Sequence, residues 1–207
     1  MFYSDAKQDC FVANMLNFKQ AGFYLDIGSA HARKNNNTFY FDQIGWTGIC
    51  VECDRGWLDS YKERKGCRLI HKDALRIDWR DLFNTFTVPR VIDYISLDVD
   101  EFSTAILQRL PLDTWSAKII TIEHDHYRFG DKWQAQQRDI LQGQGYHLIC
   151  ADVFVEQPDF TQEKASFEDW WVSPKWFDND LVQKIQSSHI SPSQIIAKFG
   201  DRRNWFR

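Results

Sequence analysis

The sequence predicts an α/β fold: a mostly parallel sheet with helices on both faces and an antiparallel hairpin at one edge. Three observations predict it. Short apolar runs alternate with segments of helical periodicity for most of the chain. The first such runs end in polar clusters, as strand ends do around a ligand site. The last two runs, 146–155 and 167–172, have no helix between them.

Taken in order, residues 5–19 read as an opening amphipathic helix, with Phe11, Met15 and Phe18 at helical spacing. Gly22 ends it, and residues 23–27 form a short buried strand. An Asn-rich start, able to cap free N–H groups, opens a helix over 35–44. Strands over 46–53 and 67–71 flank a helix over 56–64, and a short helix covers 79–83. A fourth strand, 91–99, leads to a helix over 103–110, and a fifth, 118–123, to a helix over 132–142. The closing hairpin carries an irregular, Pro-containing connection, and helices over 181–186 and 192–198 finish the chain. The chain of 207 residues reads as one domain: an N-terminal helix (1–20), a Rossmann-like core (21–175) and a C-terminal helical extension (176–207).

Composition narrows the function. A formal net charge of −4 gives no basic footprint, so nucleic acid is disfavoured as partner. No apolar run approaches the ~20 residues that cross a bilayer, so no membrane partner is expected. The five cysteines leave one unpaired in any scheme, which points to reduced thiols and a cytoplasmic protein. Cys50-Val51-Glu52-Cys53 matches C-x-x-C but reads as two buried small residues on a strand. Nine Trp and sixteen Phe imply a large aromatic core.

The candidate site lies at the strand ends. Asp26-Ile27-Gly28-Ser29-Ala30-His31 follows the first strand. Gly28 permits a tight turn and close approach to a ligand, and Asp26 can accept hydrogen bonds from an ammonium group or a turn. The full G-x-G-x-x-G is absent, which fits a nucleoside ligand without a pyrophosphate. Glu52 ends the second strand 24 residues after Gly28, close to the ~20 expected of a carboxylate that holds ribose hydroxyls. A solvated strand-end carboxylate is the alternative. Asp73, after the third strand, suits an adenine amino group or a turn cap equally, and His31 suits a cap of the glycine turn.

These residues resemble the FkbM-type methyltransferases. The resemblance is carried by Tyr24-Leu25-Asp26-Ile27-Gly28-Ser29, by Asn36-Asn37-Thr38, and by Gly45-Trp46-Thr47-Gly48-Ile49-Cys50-Val51-Glu52. Tyr3-Ser4-Asp5-Ala6-Lys7-Gln8-Asp9 resembles the family's Y-S-Q-x-x-Q-D entry segment. Asp98-Val99-Asp100-Glu101 stands where members often carry D-x-E-G, and Cys53 replaces the usual proline. The resemblance implies a seven-stranded, Rossmann-like class I methyltransferase fold. It also implies S-adenosylmethionine as cofactor and O-methylation of a sugar or other small hydroxylated acceptor. Asp26, Gly28, Ser29 and Glu52 are the implied cofactor residues, with Gln8 and Asp73 as further candidates.

Chemistry is expected where strands four and five end, with Asp98 and Asp100 on one and Glu123, His124, Asp125 and His126 on the other. Methyl transfer to a hydroxyl needs the acceptor aligned and its proton removed. Asp98 and His124 are the catalytic candidates. Asp98, Asp100, Glu123 and Asp125 could instead hold Mg²⁺ or a similar cation that acidifies the hydroxyl, or could pair with Arg128 and Lys132. Phe167 to Val172, then Trp176-Phe177, close the core against the edge strands, or form an aromatic wall or lid for a sugar acceptor. Two further readings stand beside these. Asp98-Val99-Asp100 resembles the D-x-D of GT-A glycosyltransferases, and a non-catalytic cofactor-binding domain is also compatible. The same cluster would also serve a metal nuclease, a reading that the negative net charge weakens. Oligomeric state is not legible.

Overall fold

The computed structural model describes residues 1–154 and 165–200. Most of the Pro-containing connection, Val155 at the end of the expected sixth strand, and Arg202-Arg203 lie outside them.

Strands β1 (Phe23–Ile27), β2 (Thr47–Glu52), β3 (Cys67–His71), β4 (Val91–Leu97), β5 (Ser116–Glu123), β6 (His147–Phe154), β7 (Ser166–Val172) and β8 (Ser187–Ser188) form one sheet in the order β3-β2-β1-β4-β5-β7-β6-β8. β1 to β5 run parallel, and β7 lies antiparallel between β5 and β6. The sheet therefore has eight strands rather than seven, and the hairpin is not its outermost element. β8, two residues long, pairs in parallel with Cys150 and Ala151 of β6. Two serines carry no strand periodicity, so nothing in their sequence announces this pairing.

The α-helices are α1 (Gln8–Met15), α2 (Phe39–Gln43), α3 (Trp79–Thr85), α4 (Ser103–Leu107), α5 (His126–Phe129), α6 (Asp131–Gly143), α7 (Asn179–Ile185) and α8 (Pro192–Lys198). Alternation along each strand sorts its side chains onto two faces. Leu25, Ile95 and Trp171 pack with Phe83 of α3, Ile106 of α4 and Leu141 of α6. Their neighbours Tyr24, Tyr94 and Trp170 pack with Phe11 of α1, Ile185 of α7 and Phe199, which follows α8.

α1 is shorter than expected and is not amphipathic, because all eight of its residues are buried. Phe11 meets Trp170 at 4.4 Å between ring centroids and Phe199 at 6.2 Å, so the helix is covered on both sides. Its polar residues are paired instead of solvated: Asp9 accepts from the Tyr3 amide (2.6 Å) and Ser4 Oγ (2.6 Å). The helix expected over 35–44 is confined to α2, since Asn36 Oδ1 accepts from the Thr38 and Phe39 amides and spends the preceding residues on the cap. The segment expected as a helix over 56–64 is a 3₁₀ helix, Arg55–Glu63. Cys50 is buried but Cys53 is exposed, which corrects the expectation of two buried residues. Trp46, Trp79, Trp170 and Trp171 are among the largest fully buried side chains, as the aromatic content implied. Among the described residues no helix is long and apolar enough to cross a membrane.

Candidate functional site

The strand order reverses between β1 and β4, and in open α/β sheets ligands settle beyond the carboxyl ends of the strands at such a point. The chain leaves β1 through Gly28, at φ +80°, whose amide donates to Val51 O (3.0 Å). A Cβ built there would lie 1.8 Å from Asp98 O, so the loops after β1 and β4 touch only because residue 28 is glycine.

A cavity of about 560 Å³ opens beside this contact, within the range of ~300–1,000 Å³ usual for ligand sites. Gly28, Glu52, Asp73 and Asp98 line its polar side, and Val99, Leu75, Phe102 and Ile106 its apolar side. Glu52 is buried, and among the described residues no cation pairs with it. Its Oε2 accepts from the Ala30 amide (2.7 Å) and its Oε1 from the Asp54 amide (2.7 Å). Two amides thus fix the carboxylate in one orientation and leave a lone pair on each oxygen. Asp73 combines both expected roles: Oδ1 caps the Leu75 amide (2.9 Å) while the residue lines the cavity. His31 Nδ1 accepts from the amides of Arg33 and Lys34, so it caps the loop.

Asp26 and Ser29 lie beneath this cavity rather than on its wall. Asp26 is 1% exposed, and its Oδ2 accepts from Thr38 Oγ1 (2.6 Å) and Asn36 Nδ2 (3.4 Å). Burial pushes its carboxyl up to about 6, with the charge of Arg64 and the Thr38 hydroxyl pulling back. Ser29 Oγ accepts from the Tyr61 hydroxyl (2.6 Å). Arg64 ties the underside together. Its Nε donates to Asp42 Oδ2 (2.7 Å), Nη1 to Asn36 Oδ1 (3.0 Å), and Nη2 to Thr38 Oγ1 (2.7 Å) and the Tyr24 hydroxyl (3.1 Å). Sequence reasoning missed Arg64, whose one signal is its place at the end of an expected helix.

A second cavity, of about 240 Å³, lies on the other side of Asp98. Gln8, Asn37, Glu123, Asp125 and Phe167 contribute to its wall. Among the described residues Asp98 alone borders both cavities. Gln8 therefore stands at the smaller cavity, where its Nε2 donates to Glu168 Oε2 (3.1 Å). Glu168 is buried, bonded also by Trp170 Nε1 (2.7 Å), and burial pushes its carboxyl up to about 8. Phe167 lines the cavity, Trp170 and Trp171 close the core, and Trp176 is exposed instead of closing it.

The strand-end acids gather as expected, and their repulsion is relieved in two ways. Arg128 Nη1 donates to both Asp100 Oδ1 (2.6 Å) and Asp125 Oδ2 (2.7 Å). Burial and the charges of Asp98 and Asp125 push the Glu123 carboxyl far up, so it keeps its proton and hydrogen-bonds Asp98. Burial raises Asp98 as well. Oxygens of Asp100, Glu123 and Asp125 lie within 4.8 Å of one another, as metal ligands would. Arg128 already bridges two of the three, however, and the third is protonated, so the donor set as built does not fit a resident cation.

The histidines do not join this group. His124 is 1% exposed and lines neither cavity. Its Nδ1 accepts from the His126 amide (3.1 Å), which leaves the ring proton on Nε2, 3.5 Å from Asp169 Oδ1. Burial works to raise Asp169, yet hydrogen bonds from His124 and Arg138 outweigh it and hold the carboxyl below its ordinary range. His126 pairs with Asp131 at the surface (2.8 Å).

No protein-family model matches the chain, and no curated protein matches it. Solved structures do. A putative caffeoyl-CoA O-methyltransferase from Staphylococcus aureus matches with a TM-score of 0.53 at 13% identity, covering 84% of this chain and 85% of that one. A putative rRNA-methylase from Clostridium thermocellum matches with a TM-score of 0.53 at 9% identity, covering 83% and 96%. A putative O-methyltransferase from Klebsiella pneumoniae matches with a TM-score of 0.52 at 13% identity, covering 81% and 80%. The chain thus has the Rossmann-like fold shared by these methyltransferases.

Proposed function

We propose that the chain is an S-adenosylmethionine-dependent methyltransferase that methylates a hydroxyl group of a small-molecule or glycan acceptor. The observation that carries this reading is the position of Asp98, the one described residue common to the two cavities. The larger cavity is the cofactor site, and the smaller is the acceptor site. The O-methylating character also follows the motif resemblance to the FkbM-type family.

In the larger cavity the fixed Glu52 carboxylate accepts hydrogen bonds from two ribose hydroxyls. Gly28 lets the backbone approach the ligand, and Ile106 and Phe102 offer apolar surface to a purine ring. Asp26 and Ser29 act from below by holding the loop after β1. The cofactor supplies an activated methyl group on a sulfonium centre. Asp98 accepts the hydrogen bond of the acceptor hydroxyl and takes its proton as the oxygen–carbon bond forms and the carbon–sulfur bond breaks. A raised carboxyl is a stronger base than an ordinary aspartate, which suits this task. Glu123, by donating to Asp98, holds it in place for that contact.

Calorimetric titration with S-adenosylmethionine and S-adenosylhomocysteine tests the reading. Micromolar binding by the parent protein, lost in Glu52→Ala, is expected. Absence of binding by the folded parent would sink it. Binding of a nucleoside diphosphate sugar with Mn²⁺ in its place would favour a glycosyltransferase built on Asp98-Val99-Asp100.

A further inference from the structure

The smaller cavity has a composition that selects among acceptors. Asp5, Asp98, Glu123 and Asp125 line it, and among the described residues no lysine, arginine or histidine does. Arg128 answers Asp125, and Glu123 keeps its proton. Asp5 makes no ion pair among the described residues, and Asp98 shares only the Glu123 proton, so two acids are left without a cation.

The hydrogen-bonding groups tell the same story independently. Both buried carboxamides of the wall commit one of their two N–H donors inside the protein. Gln8 Nε2 is bound to Glu168, and Asn37 Nδ2 donates to Ser96 Oγ (2.9 Å). Asn37 is 7% exposed, and its Oδ1 accepts no hydrogen bond from any described residue. This residue lines the cavity, so a ligand donor can reach its free amide oxygen from there. The wall thus offers acceptors and negative charge. Phe167 and Tyr127 add aromatic surface, which attracts a cation placed over a ring face.

We infer that this cavity takes a hydroxyl-bearing ammonium compound, an amino sugar or an amino alcohol, and turns away phosphorylated and carboxylated acceptors. The ammonium group supplies several N–H donors and a charge opposite to that of Asp5 and Asp98, while its hydroxyl faces Asp98. At about 240 Å³ the cavity suits one monosaccharide-sized unit. An anion would meet two carboxylates and, among the described lining residues, no cation. The inference rests on the smaller cavity being the acceptor site, and it names what that site accepts.

Ligand-observed NMR on the full chain, without cofactor, reads the preference apart from turnover. Two matched series serve as probes: glucosamine, glucose and glucose 6-phosphate, and serinol, glycerol and glycerol 3-phosphate. The amine of at least one series is expected to bind tenfold or more tightly than its neutral partner, with the phosphate ester undetected. Asp5→Asn, an exposed position where folding is not at stake, is expected to reduce that preference at least threefold. Failure of both amines to outbind their neutral partners overturns the inference, as does preference for a phosphate ester or a preference that Asp5→Asn leaves intact. Because cofactor binding is read separately by calorimetry, either proposal can fail while the other stands.

Discussion

At the ends of β2 and β3 the acids are held by backbone, Glu52 by the amides of Ala30 and Asp54 and Asp73 by the amide of Leu75, with Arg76 3.5 Å from the other Asp73 oxygen. At the ends of β4 and β5 they are answered by other side chains or by protons: Arg128 answers Asp100 on the wall of the larger cavity and Asp125 on that of the smaller, and Glu123 keeps its own proton. Amides are fixed by the path of the chain and carry no titratable proton, so the first arrangement is preorganised. Side chains and protons can be exchanged, so the second depends on conditions and can be retuned by substitution. Binding a constant cofactor calls for the first. Fitting a particular acceptor and moving its proton calls for the second.

Substitutions can test this contrast, beginning with the largest effect. Arg64 pairs with Asp42 and its charge is felt by Asp26, and Arg64→Met leaves both buried acids without that cation. A loss of about 3–5 kcal/mol is expected, the cost of breaking a buried ion pair from one side. Urea denaturation measures it, and a loss below about 1 kcal/mol would mean that the underside does not depend on this residue.

Gly28→Ala places a methyl group against Asp98 O in a left-handed backbone conformation. About 2–4 kcal/mol should be lost to overpacking and strain together. Cofactor binding should weaken beyond what stability explains, because the two loops part; unchanged affinity in the folded variant would break the link between this contact and the site.

Glu168→Gln probes the other half through pH. The folded state holds the Glu168 proton up to about pH 8, whereas an unfolded glutamate releases it near ~4.3. Between these values the native state binds more protons than the unfolded one, so the parent loses stability as pH rises. Glutamine has no proton to lose. The variant should therefore gain on the parent by about 2 kcal/mol or more between pH 5 and pH 8 in denaturation curves, and a gap that does not change with pH would show Glu168 to be ionised throughout.

The smallest effect is expected at the exposed Arg128. Arg128→Gln frees Asp100 and Asp125, and thermal melts of the variant should then rise with added Mg²⁺ while those of the parent do not. A parent that responds equally would mean that Arg128 does not occupy the cation position.

The larger cavity was largely legible in the sequence because its devices are local. Gly28 announces itself, since only glycine takes that turn with that approach, and Glu52 ends an apolar run at the spacing a ribose carboxylate needs. Asp26 was legible as a site residue, but its direction was not. Side chains alternate along a strand, and only the contact with Thr38 and Arg64 fixes which way this one points. The smaller cavity hid more. Gathering of the acids was readable from two neighbouring strand ends. Their balance by Arg128 and a retained proton depends on distances between groups far apart in sequence. Asn37 reaches that cavity from the loop after β1, and Gln8 meets Glu168 only because α1 is buried and β7 inserts between β5 and β6. His124 looked catalytic by its neighbours, yet Asp169 and Gln134, on other elements, claim its ring.

The two-residue strand β8 has a consequence for association. β6 is apolar, with Ile149, Cys150 and Val153 fully buried, and an uncovered strand of that kind is a template on which other chains can pair. β8 covers its middle but is too short to extend the ladder. Lys198 then reaches back from α8 to the carbonyls of Ile185 (3.4 Å) and Gln186 (3.0 Å), setting a charge beside that margin. A chain cut after β7 would expose this margin and also remove Phe199 from the face of α1, and its expected failure is aggregation.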